Sequence, residues 1–241
     1  MSDQPLALVT GAAHRLGKAF VQALARNGYA ILLHYRSAEM QASKTATEIR
    51  TLGVPVFLSQ ADLTNPKKID SLFAMVDKIP HPLKVLVNSA AAISAGDPRT
   101  LSVNDWDNAL NLNLRAPFLC AQQAAKRMTG GGLIINVTDV GAQKSWSRYP
   151  SYSVSKAGLE SLTKVLAKAF APSVRVNAIA PGLVLQSDLI SPEEWSRLIE
   201  RIPLRRPAST EEIASALEFL IKNEYITGQT LVIDGGYSLL G

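Results

Sequence analysis

Cysteine is almost missing from this chain: Cys120 is the single one among 241 residues. That excludes an intrachain disulfide and a zinc site built from several thiolates. The three histidines, His14, His34 and His81, lie in separate segments without ligand spacing, so no metal is expected. No apolar run approaches the roughly 18–20 residues that cross a bilayer, so no membrane span is expected. Lys and Arg number 25 against 20 Asp and Glu, a net charge of +5. These charges are scattered, with no block of one sign, which argues against a nucleic-acid-binding arm. No period of about 20–50 residues repeats, and no low-complexity linker divides the chain. The opening Met1-Ser-Asp-Gln-Pro5 has neither the positive segment nor the apolar stretch of a signal peptide. A protein of the reducing cytoplasm is expected. No G-x-S-x-G elbow supports hydrolase chemistry.

What the chain has is a core: hydrophobic residues make up 47%, too much for intrinsic disorder. Short β-branched runs alternate with longer segments of helical spacing. Strands are expected at 6–10, 30–35, 54–59, 85–88, 133–137, 174–179 and 230–234. Helices are expected at 16–27, 38–52, 66–78, 104–128, 153–171 and 210–221. The 104–128 helix should bend near Pro117, which lacks the N–H a helix interior needs. Thr210 is the expected cap of the last helix. The strands are almost wholly apolar, as when helices cover both faces of a parallel sheet. The expected fold is α/β: one doubly wound, Rossmann-type domain over residues 1–241, with a seven-stranded, mostly parallel sheet. Ligands in such sheets bind at the carboxyl ends of the strands.

The first strand runs into Thr10-Gly-Ala-Ala-His-Arg-Leu-Gly17 and then a helix. Gly11 permits the tight turn, Gly17 the close packing of helix on strand, and the helix start faces an anion. His14 would touch a phosphate through its backbone, and Leu16 belongs to the same turn. Arg15 stands where a further glycine is common, and would bond a cofactor phosphate or reach the substrate. The second strand ends in His34-Tyr35-Arg36-Ser37. A carboxylate here would bond the ribose of NAD. A guanidinium with a hydroxyl instead grips a 2′-phosphate. NADPH is the cofactor these residues point to.

Tyr152 and Lys156 stand one turn apart at the start of a helix, on one face. A lysine beside a phenol favours the phenolate and lowers its pKa. Such a tyrosine would deliver a proton while hydride arrives from a nicotinamide.

With these motifs in this order, the chain resembles the short-chain dehydrogenase/reductase family over nearly its whole length. Asp62-Leu63 resembles the pair that holds adenine. Asn88-Ser89-Ala90 resembles the family's Asn-Asn-Ala-Gly segment, with Ser89 and Ala91 as departures. Asn113 resembles the asparagine supporting a water relay to the lysine. Pro181-Gly182 resembles the loop by the nicotinamide, and Asp234-Gly-Gly236 the C-terminal signature. Family helices corresponding to 104–128 and 153–171 pair subunits, which implies a homotetramer.

The family usually has serine thirteen residues before the catalytic tyrosine, to donate to a ketone oxygen. Here it is Asp139. An ionised carboxylate accepts and cannot donate, which favours a substrate offering N–H groups and C=N over C=O reduction. This departure resembles the pteridine reductases and dihydromonapterin reductases. Gly11 to Gly17 with Arg15, His34 to Ser37, Tyr149 and Leu183 match that subgroup as well. Ile93 departs from it, replacing an aromatic residue that stacks on the pterin. The resemblance implies an NADPH-dependent reductase of a small pteridine. Asp139, Tyr152, Lys156 and Asn113 would be catalytic. Arg15, Ile93, Asp139, Tyr149, Tyr152 and Leu183 would face the substrate, under a substrate loop at 183–206. A ketoacyl reductase of the same fold and a non-catalytic NADPH-binding regulator are the alternatives.

Overall fold

In the computed structural model, which describes residues 4–239, every residue of the first strand is buried. A strand without a wet face must lie between two helical layers, and it does. β1 (Leu6–Thr10), β2 (Ala30–Tyr35), β3 (Val56–Gln60), β4 (Leu83–Asn88), β5 (Gly132–Val137), β6 (Val174–Pro181) and β7 (Thr230–Ile233) form one sheet. Their order is β3-β2-β1-β4-β5-β6-β7, and every neighbouring pair is parallel. The order reverses between β1 and β4, which opens a crevice at their carboxyl ends.

Side chains alternate across the sheet and so divide into two cores. Ala7 and Val9 pack with Phe20, Leu24, Leu33, Leu217 and Leu220, under α1 (Arg15–Arg26), α2 (Glu39–Arg50) and α9 (Thr210–Lys222). Leu6 and Leu8 pack with Leu72, Phe73, Cys120 and Leu166, under α3 (Pro66–Val76), α5 (Ala116–Ala125) and α7 (Pro150–Phe170). Cys120 is a core residue whose thiol burial pushes up to about 12.

Three expected elements need correction. The 104–128 helix is three pieces: α4 (Val103–Leu110), a π-helical turn (Asn111–Arg115) and α5. Pro117 leaves the carbonyl of Asn113, four residues back, without its α-helical donor, and the wider turn takes up the mismatch. The cap of α9 is Ser209, not Thr210; its hydroxyl accepts from Glu212 N–H while the Glu212 carboxylate accepts from Ser209 N–H. The 183–206 connection holds a helix, α8 (Pro192–Arg201), capped by Ser191. The short α6 (Gly141–Lys144) follows β5 directly.

A buried polar chain crosses the sheet behind the crevice. Asn88 Nδ2 donates to Asn136 Oδ1 at 2.9 Å, and Asn136 Nδ2 donates to Thr163 Oγ1 at 2.9 Å. Buried amides are tolerated because they are paired. Asn136→Ala strips Asn88 and Thr163 of a partner at once. A loss of about 2–3 kcal/mol is expected, which is about 4–12 °C in Tm for a chain of this size. Urea unfolding checks it; a loss below about 1 kcal/mol would show that the chain is dispensable.

Candidate active site

The crevice is a cleft of about 470 Å³ running over the ends of β1, β2, β4, β5 and β6. Its floor at one end is the turn after β1. Gly11 sits at φ +64°, and a Cβ there would stand 2.8 Å from the Cα of Ala90. A Cβ on Gly17 would meet the Gly11 carbonyl at 2.2 Å, so α1 packs on its own turn. Thr10 Oγ1 accepts from the N–H groups of Ser89 and Ala90, which ties the β4 end to the turn. No side chain caps α1, so its first-turn N–H groups remain for an anion. Beside them stand His14, Arg15 and Leu16, then Tyr35 at the end of β2 with Arg36 and Ser37 just after it, and Leu63.

His34 holds this end together. Gly11 N–H donates to its Nδ1 at 3.2 Å, so its proton sits on Nε2, 3.0 Å from the Ala61 carbonyl that accepts it. Burial pulls its pKa down from 6.5 to about 4. A lone histidine ending an apolar strand carries no such signal in the sequence.

At the other end of the cleft lie Asp139, Tyr152 and Lys156, with Ser89, Ala90, Pro181 and Gly182 between. Tyr152 Oη donates to Asp139 Oδ2 at 2.8 Å, while Asp139 Oδ1 accepts from Gly141 N–H at 2.7 Å. Lys156 Nζ donates to the Val137 carbonyl at 2.7 Å and lies 5.7 Å from the centre of the Tyr152 ring. Burial lowers Lys156 to about 8. Burial also raises Asp139, against the pull of the Gly141 N–H and Tyr152 bonds and the Lys156 charge. The expected lowering of the tyrosine does not hold: burial and the Asp139 carboxylate push Tyr152 well above the ordinary phenol value. The phenol is a held proton, not a phenolate.

Five expected site residues do not line the cleft. Asp62 turns Oδ1 onto Thr64, accepting from its N–H and hydroxyl. Asn88 is in the polar chain behind the sheet. Asn113 Nδ2 donates to the Ala92 carbonyl and Ser155 Oγ, and its Oδ1 accepts from Ala92 N–H. Its side chain therefore fixes the Ala90–Ala92 loop. Tyr149 is buried between Trp146 and the Arg148 guanidinium. Leu183 packs away from the cleft, on Val140, Ile202 and Tyr237. Ile93 does line it, 37% exposed. Val184, Leu185 and Ser187, from the start of the expected 183–206 loop, line it as well, and so does Thr138, where the sequence carries no motif. No group of three or more His, Cys, Asp or Glu that would hold a metal occurs among the described residues, nor does a helix long and apolar enough to cross a membrane.

Residues 11–238 match the family described as Enoyl-(Acyl carrier protein) reductase. The chain belongs to the short-chain dehydrogenase/reductase family. It is thereby an NAD(P)-dependent oxidoreductase by kinship. A 3-oxoacyl-[acyl-carrier-protein] reductase of a Synechocystis strain is 34% identical, covering 96% of each chain. The crystal structure of FolM alternative dihydrofolate reductase 1 from Brucella suis in complex with NADP superposes with a TM-score of 0.93 at 32% identity, covering 99% of this chain and 96% of that one. A blue fluorescent protein from a metagenomic library, crystallised with NADPH, gives 0.91 at 29%, covering 98% of each chain.

The neutral ring of His34 has a pH signature. The unfolded chain takes up a proton near pH 6.5, which the folded ring refuses until about 4. The stability it contributes is complete above pH 6.5 and is lost as the pH falls toward 4. Two-dimensional NMR of the imidazole should show a midpoint near 4; a midpoint above about 6 would mean the Gly11–His34 bond is not formed.

Proposed function

We propose that this chain is an NADPH-dependent reductase of pteridines, taking the C=N bond of a dihydropterin- or dihydrofolate-type substrate to the tetrahydro form. One observation carries the reading. Where a ketone reductase needs a hydroxyl donor, Asp139 offers a carboxylate that already holds the Tyr152 proton at 2.8 Å. A ketone oxygen would meet repulsion there; a ring N–H would meet an acceptor.

The uncapped first turn of α1 and the Gly11 cradle fit a pyrophosphate, and Arg36 with Ser37 at the end of β2 fits a 2′-phosphate. NADPH bound there supplies a hydride to the carbon of the C=N bond. Tyr152 gives its proton to the adjacent nitrogen, directly or through water. Asp139 accepts from the substrate's N–H edge and shares the phenol proton. Lys156 bonds the nicotinamide ribose, and its ammonium offsets the carboxylate charge. For the relay water at Asn113, the side chain is engaged, so the carbonyl freed by Pro117 serves. Ile93 covers one face of the ring. The FolM neighbours support the substrate class. We infer a homotetramer of the cytoplasm; the exposed Phe118 and Val165 beside the α5–α7 groove support pairing there.

The oxoacyl reductase relatives favour a second reading, reduction of an acyl-carrier-bound ketone. NADPH oxidation with dihydrobiopterin, dihydromonapterin, dihydrofolate and a simple β-ketoester separates the two. The expected result is oxidation with a pterin and none with the ketoester. Tyr152→Phe should lower it by about 10²–10⁴-fold, and Asp139→Ser should abolish it. Turnover of the ketoester alone, raised by Asp139→Ser, would sink the pteridine reading. NADPH binding without turnover of any of the four would favour a regulatory protein.

The cofactor choice has its own test. Arg36→Glu should weaken NADPH by about 10–100-fold, the worth of one charged hydrogen bond, and improve NADH. Equal loss of both cofactors in steady-state KM would show that Arg36 does not meet the 2′-phosphate.

A further inference from the structure

Among the described residues, Arg15 is one of three non-glycine residues at positive φ, 53°. A side chain there is strained, and a glycine would rest in that turn freely. The guanidinium reaches across the cleft: Nη2 donates to the Leu185 carbonyl at 3.0 Å and Nη1 to the Gln186 carbonyl at 3.2 Å. Both acceptors lie in the stretch between Pro181 and α8, and Val184, Leu185 and Ser187 of that stretch line the cleft together with Arg15. Residues 184–190 are otherwise bonded locally. Gln186 Nε2 donates to the Ile190 carbonyl, and Ile190 N–H to that of Ser187. Among the described hydrogen bonds of 184–190, the two from Arg15 are those that tie it to another part of the chain.

We propose that Arg15 is a positioning residue that holds the 184–190 stretch over the cleft, and that this reach explains an arginine in a left-handed turn. Two nitrogens of one planar, always charged guanidinium reach two successive carbonyls at once. The role differs from that of a phosphate or pterin ligand. The inference rests on the cleft being the site proposed above, yet it holds whichever substrate enters.

The test uses the purified protein, nicked without ligand and with no substrate in any arm, so its outcome is independent of the substrate assignment. Arg15→Gly and Arg15→Asn both accept the positive φ and lack the reach. Chymotrypsin is the probe, because Leu183, Leu185 and Leu189 offer cleavage sites in or beside the stretch. Nicking there should run about three- to tenfold faster in both variants. Tm should be unchanged or raised in Arg15→Gly. Nicking at the wild-type rate in both variants overturns the proposal. So does cleavage that spreads over the whole chain with a fallen Tm, the mark of a merely structural residue. An NADPH Kd weakened tenfold with nicking unchanged also overturns it and assigns Arg15 to the cofactor.

Discussion

Two strands that are far apart in sequence meet at Gly11 and Ala90, and that approach leaves no space for a side chain on the glycine. The rest of the site depends on it. β1 and β4 are hydrogen-bonded neighbours with Thr10 level with Asn88, so the turn after one strand and the loop after the other compete for the same volume. Gly11 resolves the competition by having no Cβ. Its N–H then lies within reach of His34 Nδ1, which in turn reaches the Ala61 carbonyl after β3. Three strand ends are thus fixed against one another by a neutral ring. On the opposite flank Thr45 donates to the Ala13 carbonyl at 2.8 Å, so α2 anchors the same turn. A rigid floor of this kind is what a backbone anion site needs, since donors that must be reorganised on binding lose affinity.

The far end of the cleft is an electrostatic compromise. Tyr152 and Lys156 are buried and Asp139 is half-buried at the cleft wall, and desolvation disfavours the charged form of each. Asp139 and Lys156 offset each other, and Gly141 N–H and Tyr152 Oη complete the carboxylate's bonds. Tyr152 is the group that gives way: beside a carboxylate it stays protonated. A phenol so held does not ionise by itself, and gives up its proton only when a base stronger than the carboxylate is presented to it. The nitrogen of a C=N bond receiving hydride is such a base.

The fold was legible because apolar strands and helical spacing leave little freedom in an α/β chain. All seven expected strands form, within two residues at their ends. The errors cluster where backbone chemistry outweighs periodicity. The π-helical turn at Asn111–Arg115 keeps an apolar pattern like that of an ordinary helix, so a missing N–H at Pro117 shows as a bend and not as a wider turn. α8 was hidden because its apolar residues Trp195, Leu198 and Ile199 are only half buried. At the site, residues named by motif largely face the cleft. The exceptions, Asp62, Asn88, Asn113, Tyr149 and Leu183, have polar or packing partners that only three dimensions reveal. The sign of the Tyr152 shift was illegible for a similar reason. Spacing alone joins Lys156 to Tyr152, whereas Asp139 comes to 2.8 Å from the phenol through the end of another element.

Likeness of backbone does not choose the substrate here. An oxoacyl reductase at 34% identity and a dihydrofolate reductase at 32% cover the chain almost equally. The cofactor turn and the tyrosine–lysine pair belong to the family, so the choice falls to groups meeting the reacting bond. Asp139 and Tyr152 present an acceptor beside a donor, 2.8 Å apart. A ketone oxygen is an acceptor alone and offers Asp139 Oδ2 no donor in place of the Tyr152 hydroxyl it draws away, which is costly where water is largely excluded. A ring with an N–H next to an acceptor nitrogen satisfies both at once. Ile93 supplies dispersion over the ring and no flat aromatic face. On the proposed reading, recognition in this reductase therefore comes from the edge of the ring more than from its face.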